Sequence, residues 1–489
     1  MRFRPHLRAT LAATVLAAAT VTPLLTAPAA SAAPAKLADD FNGDGYRDLV
    51  MQGGEYRTDR RVTVLYGTSA GPGTRVQTIH QDSTGIPGAV ESGDDWGYAA
   101  TTADLDRDGY ADLVVASPGE NVGDVSGRGG LTVVWGSATG LGSGTVFHSP
   151  IAPVDNEGDR LGYDLASGDF DGDGDPDLAA TSSSSAGVVL LKGPFTRTGG
   201  KQGWTSLGGS YGYLSAQHLV AGRVTNDSAT DLYVIGDDLG DDDSTHVSAF
   251  FHRGGADFAT RAGRIDYADD GGGGVGSSGP QGAIGDFDKD GYGDLAFGRG
   301  LENADGMRGY VKVKYGSATG PSTTRASATF HQDTTGVPGA REAGDYFGSA
   351  VAAGDVNGDG YADLAIGASG EDLGSVRDAG TVTVLLGRAG GLSGTGAKAY
   401  DQNTSGVAGG PEADDYFGVE LKLTDYTRDG RTDLIVGTGD QVSDVNVARF
   451  GLIHQLNGSS TGTTGTGSRA WSVVSLKLPY ERLGGPFAR

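Results

Sequence analysis

The chain has 489 residues, a formal net charge of −25, 86 glycines and no cysteine. Like-charge repulsion argues against nucleic acid and anionic membranes as partners. No disulfide can staple the fold, so an exported chain of this kind needs a different cross-link. Glycine at this density is the composition of disorder unless strand periodicity accompanies it, in which case it reads as turns.

The chain opens Met1-Arg2-Phe3-Arg4-Pro5-His6-Leu7-Arg8, continues as an apolar run from Ala9, and reaches the small-x-small triplet Ala30-Ser31-Ala32. A basic start, an apolar middle and a small-residue site define a secretory signal peptide over 1–32, cut after Ala32. Pro23 and Pro28 interrupt the run, and no second apolar stretch reaches membrane length. The expectation is an exported, soluble monomer over 33–489.

Residues 40–48 carry oxygen side chains at loop positions 1, 3, 5 and 9 (Asp40, Asn42, Asp44, Asp48), with Gly45 at position 6 and Tyr46 at position 7. This arrangement suits a hard cation such as Ca2+, with position 7 offering its backbone carbonyl. The loop recurs at 104–112 with Asp104, Asp106, Asp108, Tyr110 and Asp112. It recurs at 169–177 with Asp169, Asp171, Asp173, Asp175 and Asp177, and at 286–294 with Asp286, Asp288, Asp290, Tyr292 and Asp294. A fifth intact copy, 355–363, has Asp355, Asn357, Asp359, Tyr361 and Asp363. A weaker one, 425–433, has Asp425, Asp429, Arg431 and Asp433 but a neutral Thr427 at position 3. The copy at 223–231 is eroded, with Arg223 at position 1. Five Ca2+ sites are expected, with Asp425 heading a weaker sixth.

Seven loops in register, starting at 40, 104, 169, 223, 286, 355 and 425, are a repeat architecture. They are not EF-hands, which need an acid at position 12 and flanking helices. Position 12 here is apolar (Met51, Val115, Ala180, Phe297, Ile366, Val436), and the chain leaves each intact loop as a short apolar strand such as Asp112-Leu113-Val114-Val115. An alternating strand follows, as in Leu131-Thr132-Val133-Val134-Trp135 and Thr381-Val382-Thr383-Val384-Leu385, closed by a Gly-rich turn. About four short strands per repeat is one propeller blade.

An aromatic residue or leucine followed by glycine stands before the loops, as in Trp96-Gly97, Leu161-Gly162, Phe347-Gly348 and Phe417-Gly418; small residues follow, as in Ala116-Ser117-Pro118 or Gly367-Ala368-Ser369. Together with the acidic loop these segments resemble the FG-GAP repeat, which builds the seven-bladed β-propeller of integrin α subunits. The resemblance implies an all-β, seven-bladed β-propeller whose loops hold Ca2+ structurally, and an extracellular adhesion or ligand-binding role. It runs from about residue 36 to the end. Stalk domains, a membrane span and an Arg-Gly-Asp triplet are not found in the sequence.

The ends suggest closure. Arg482-Leu483-Gly484 resembles Arg160-Leu161-Gly162, and the first repeat lacks a strand ahead of its loop. A C-terminal strand completing the first blade, as a clasp, is expected in preference to Ala35-Lys36-Leu37-Ala38 supplying that strand, since a closed ring hides sheet edges. Enzyme signals are weak. Gly67-Thr68-Ser69-Ala70-Gly71 and Gly458-Ser459-Ser460-Thr461-Gly462 fit a nucleophile-elbow spelling, but no helix pattern follows either. His80 and His331 stand in matching segments, which points to a repeated structural role. Asp94-Asp95, Asp241-Asp242-Asp243 and Asp414-Asp415 read as solvated loops, with Asp94, Asp345 and Asp414 as turn caps. The function expected is a non-enzymatic binding module for an extracellular protein or glycan. The alternatives are a lectin-like propeller and, less favoured, a hydrolase, since similar repeats accompany the glycosylphosphatidylinositol-specific phospholipase D.

Overall fold

In a computed structural model of the chain, the structure describes residues 1, 34–55, 59–183, 187–208, 215–239, 245–266, 281–300, 308–439, 451–478 and 483–488. The segments 1–32, 241–243 and the glycine run 271–274 lie outside the described residues, apart from Met1. Every regular element among the described residues is a β-strand, and no helix is long and apolar enough to cross a membrane.

Seven four-stranded antiparallel sheets follow one another along the chain. Six are formed by consecutive strands, with inner strands Ala100–Ala103, Leu165–Gly168, Ser215–Gly222, Gln281–Gly285, Phe347–Gly354 and Glu420–Thr424. The first sheet departs from this order. Its strands Leu49–Glu55, Asp59–Thr68 and Gly71–Ile79 are joined on the inner side by Leu483–Phe487, with Met51 opposite Phe487 and Gly53 opposite Leu483. The expected clasp is therefore present, and residues 35–38 form no strand.

The second strand of each blade is sandwiched between neighbouring blades and must be apolar on both faces. Asp112–Ser117, Asp294–Arg299 and Asp363–Ala368 are buried at every position, which is why they read as unbroken apolar runs rather than alternating ones. Outer strands face solvent on one side, and Gly203–Ser206 alternates accordingly. The core is divided among the seven gaps between blades. Trp135, Leu161 and Phe195 fill the gap between blades two and three. Met51, Tyr426, Trp471 and Phe487 fill the gap between blades seven and one, which closes the ring.

The inner strands surround a central channel of about 400 Å3, lined by residues of all seven blades including Thr101, Ser167, Val220, Ile284, Ala352 and Lys422. Lys422 donates from Nζ to the Ala488 carbonyl at 2.7 Å, tying blade seven to the clasp.

Two expectations about acidic loops are corrected. Asp94 is 2% exposed and Asp415 is fully buried, so neither is solvated. The turn cap of the third copy is Asp415, not Asp414. Asp94, Asp345 and Asp415 each accept the backbone N–H three residues earlier, from Glu91, Glu342 and Glu412, at 2.6–3.1 Å. Counting back from the aromatic-Gly pair misassigned the role because Asp414-Asp415 offers two candidates and only the residue three before the glycine reaches that amide.

A chain ending at residue 482 loses the clasp and exposes the pocket that receives Leu483 and Phe487. Burial of two such side chains is worth about 3–6 kcal/mol, so a lower thermal midpoint with an early transition in blade one is expected. An unchanged melting curve would contradict the closure.

Candidate metal loops and the clamp beneath them

Six of the acidic loops join the inner strand of a blade to the second strand, and the first leads into the second strand of the blade that the C-terminal strand completes, so the seven loops gather on one face of the propeller. The residue at position 9 starts the second strand in six copies and directly precedes it at Asp48, and it is at most 1% exposed in all seven. Its Oδ2 accepts the backbone N–H of position 2 at 2.8–3.1 Å, for Asp48, Asp112, Asp177, Asp231, Asp294, Asp363 and Asp433. Its Oδ1 accepts the backbone N–H of a glycine at or just past the end of the third strand, at 2.7–3.1 Å: Gly67, Gly136, Gly193, Gly254, Gly316, Gly387 and Gly458. One carboxylate thus ties the loop to the far hairpin of its blade. A Cβ on any of those seven glycines would lie 2.1–2.6 Å from the carbonyl of loop position 8, so the approach is closed to other residues.

Above this clamp the loop folds on itself. The position-1 carboxylates of the six copies that have one accept the N–H of the position-6 glycine at 2.7–3.1 Å. The position-5 carboxylates accept the N–H of position 7 at 2.9–3.0 Å. Gly109 and its five counterparts have φ of 83–95°, the left-handed conformation that the turn requires. The result brings Asp104, Asp106 and Asp108 together, and likewise Asp286, Asp288 and Asp290, with one oxygen from each within 4.8 Å of the others; in the third loop the group is Asp169, Asp171 and Asp177. In loops one and six an Asn at position 3 donates to the position-5 carboxylate, Asn42 to Asp44 and Asn357 to Asp359, both at 2.9 Å.

The donor set is all oxygen, as a hard cation demands. Asp106 Oδ1 and Asp169 Oδ1 are buried and accept no hydrogen bond, which leaves their lone pairs unsatisfied. Burial pushes Asp48 and Asp112 up to about 8, and Asp177, Asp294 and Asp363 up to about 7, against the backbone N–H donors that favour the charged form. Neighbouring carboxylates add to the rise. A cation reverses this balance, so the residues fit one. In the fourth loop Arg223 stands at position 1, yet Asp231 keeps both clamp bonds. In the seventh, Arg431 pairs with Asp429 at 3.0 Å.

Sequence reasoning missed two features. Position 4 is left-handed, with φ of 57–78° at Gly43, Arg107, Gly172, Lys289, Gly358 and Arg428. The signal was present as glycine in three copies. Position 9 was read only as a ligand; the glycine recurring at or just past the end of the third strand was the sign of its second role. The nucleophile-elbow spellings are hairpin turns: Gly67 and Thr68 end one strand and Gly71 begins the next. The backbone N–H of His80 donates to Ser83 Oγ and that of His331 to Thr334 Oγ1, both at 3.0 Å, a turn repeated between blades.

The fold and the loops define a closed β-propeller whose blades each carry an Asp-rich turn on one face. The chain is an FG-GAP repeat protein resembling integrin α subunits: FG-GAP repeats match 96–136, 161–191 and 347–385, and an FG-GAP-like repeat matches 40–115. It is 34% identical to human integrin alpha-IIb over 164 residues, 31% of this chain and 15% of that one. Integrin alpha-PS2 of Drosophila melanogaster is 29% identical over 243 residues, 46% of this chain and 16% of that one. Phosphatidylinositol-glycan-specific phospholipase D of Rattus norvegicus is 28% identical over 170 residues, 33% of this chain and 18% of that one. The chain thus spans less than a fifth of the length of these relatives.

The clamp works without a cation, and loop four tests it. Asp231→Asn replaces an acceptor with an amide that faces a backbone N–H, and is expected to cost about 2–3 kcal/mol. Gly136→Ala should cost at least as much through the clash with the Ala111 carbonyl. The loss for Asp231→Asn should be the same in EDTA and in millimolar Ca2+, measured by urea unfolding. A loss seen only with Ca2+ would contradict the assignment.

Proposed function

We propose that this is an exported, calcium-stabilised β-propeller that acts as a non-enzymatic adhesion or ligand-binding module. The observation that carries it is the convergence of carboxylate oxygens in loop after loop on one face, with buried acceptors left unbonded at Asp106 and Asp169. Positions 1, 3, 5 and 9 of the five intact loops, with the carbonyls of Tyr46, Tyr110, Asp175, Tyr292 and Tyr361, would hold Ca2+. The Asp425 loop would hold it more weakly. When bound, the cation neutralises the carboxylates and cross-links the loop. The chain's own residues do the rest: Asp112 and its counterparts fix the loop to the blade, and the left-handed glycines turn the oxygens inward. Calcium would then take the place of the missing disulfides, and ligand recognition would fall to the loops of the propeller's faces. Export rests on the reading of 1–32 as a signal peptide.

The partner class, extracellular protein or glycan, follows the resemblance to integrin α subunits. The relation to phospholipase D concerns repeats shared over 33% of this chain. A glycan array separates the lectin-like alternative, and turnover of lipid-linked glycans or polysaccharide would replace the present reading with an enzymatic one.

Extracellular sites bind with a Kd of about 10⁻⁴–10⁻³ M. At ten times Kd each site adds about 1.4 kcal/mol, so five independent sites add about 7 kcal/mol. A rise of roughly 10 °C in the thermal midpoint is expected between EDTA and millimolar Ca2+. No shift would remove calcium from the reading.

The pH dependence has a definite sign. Clamp carboxylates raised from 3.8 to about 7–8 hold protons more tightly in the folded, metal-free chain than in the unfolded one. Their contribution is fully present below about pH 4 and is lost as pH rises through 8. Ca2+ displaces those protons. The stabilisation by Ca2+ should therefore be larger at pH 8 than at pH 5.5, with protons released on binding, as read by calorimetry in two buffers of different ionisation enthalpy. Equal stabilisation at both pH values would contradict the linkage.

A further inference from the structure

The loops differ in charge, and the surrounding basic side chains follow that difference. Three intact loops have Asp at position 3, and each of those aspartates is paired with a base. Arg197 bonds from Nε to Asp106 at 2.7 Å and from Nη2 to Asp108 at 2.5 Å. Lys192 Nζ lies 3.0 Å from Asp171. Arg325 pairs with Asp288. The third loop has one more acid, Asp175 at position 7, and Arg107 reaches it from the neighbouring loop at 2.5 Å. The two loops with Asn at position 3 have no such partner. Among the described residues, no basic side chain forms an ion pair with Asp40, Asp44, Asp355 or Asp359; Lys289 donates to the Asp359 carbonyl at 2.8 Å and lies 5.2 Å from the Tyr361 ring.

The sum is the same in every intact loop. Loops one and six have three carboxylates each. Loops two and five have four, less one paired guanidinium. Loop three has five, less one ammonium and one guanidinium. With every carboxyl ionised, as cation binding requires, each retains three negative charges. The two degraded loops retain fewer: Asp425, Asp429 and Asp433 less Arg431 leave two, and the fourth loop, with Arg223 in place of an acid and Arg253 on Asp227, leaves less still.

We propose that Arg197, Lys192, Arg325 and Arg107 are affinity-setting residues of the calcium loops: they hold each four- or five-carboxylate loop to the net charge of a three-carboxylate one. This rests on the reading of the loops as cation sites. Two kinds of site follow. In loops one and six no carboxylate is ion-paired to a base; the nearby Arg428 and Lys289 lie against Tyr46 and the Asp359 carbonyl instead. In loops two, three and five a side-chain cation already occupies one edge of the oxygen cluster, so the ligands stay assembled at low calcium while affinity is held down. Charge count is the variable that tunes such sites, and a base within ion-pair distance in a half-buried site weakens cation binding by Coulomb repulsion.

Arg197→Met tests this: it keeps a long unbranched side chain and removes the guanidinium, which lies 5.6 Å from the Trp135 ring. Hydrogen exchange of the full chain is followed by mass spectrometry against free Ca2+, so that each loop reports its own midpoint. In the variant, peptides covering 104–112 are expected to reach protection at about tenfold lower Ca2+. The same peptides should exchange faster in EDTA, and peptides covering 355–363 should keep the wild-type midpoint. Asn42→Asp is the converse, adding an unpaired fourth carboxylate to loop one; its midpoint should fall likewise. A merely structural Arg197 would give faster exchange in EDTA with an unchanged or higher Ca2+ midpoint, and that outcome, or an unmoved midpoint for Asn42→Asp, overturns the proposal. If the wild-type loops show no response to Ca2+, the underlying reading of cation sites falls first and takes this one with it.

Discussion

The structure depends on one buried carboxylate per blade. Each position-9 aspartate accepts at least one N–H from its own loop and one from a glycine two strands away. A hydrogen bond of this kind is worth about 0.5–1.5 kcal/mol net, and about 1.5–3 when the acceptor is charged, and leaving these buried groups unpaired would be costly. The clamp sets where the loop starts and ends, so it also sets where the oxygens of positions 1, 3 and 5 converge. The fourth blade shows the order of dependence: its loop has lost the ligands of positions 1 and 3, but Asp231 and Gly254 remain joined. The clamp supports the metal loop; the metal loop is not needed for the clamp.

This hierarchy explains which features could be read from the sequence. The strands, their number and the closure were legible because burial between blades leaves a period in the sequence, and because Arg482-Leu483-Gly484 repeats a segment seen in another blade. The convergence of the acidic side chains was legible because carboxylates at every second position of a glycine turn face a common point. The second role of position 9 was not, since a ligand and a clamp call for the same residue. The bases were invisible for a different reason. Arg197 and Asp106 are far apart in sequence and meet only across the gap between two blades. The Asp414 and Asp415 pair shows the limit of register arguments, where two adjacent acids offer one turn two candidate caps.

A chain with no cysteine closes its ring by other means. The C-terminal strand enters the first blade, Lys422 reaches the Ala488 carbonyl, and Tyr426 and Trp471 pack against Met51 and Phe487 in the last gap. On the loop face, Arg428 of the seventh loop lies 5.5 Å from the ring of Tyr46 in the first, so that face is continuous across the closure as well. Closure and loop chemistry are therefore coupled in space: the first loop, one of the two without a paired base, sits beside the seam.

The measurement that bears most directly on this structure is a calcium count on the full chain, by equilibrium dialysis at millimolar Ca2+ and atomic emission. Five ions per chain are expected, or six when the Asp425 loop fills. A count of zero would leave the convergent oxygens unexplained. A count of seven would mean that the loop headed by Arg223 binds as well as the others, and that carboxylate number does not decide occupancy.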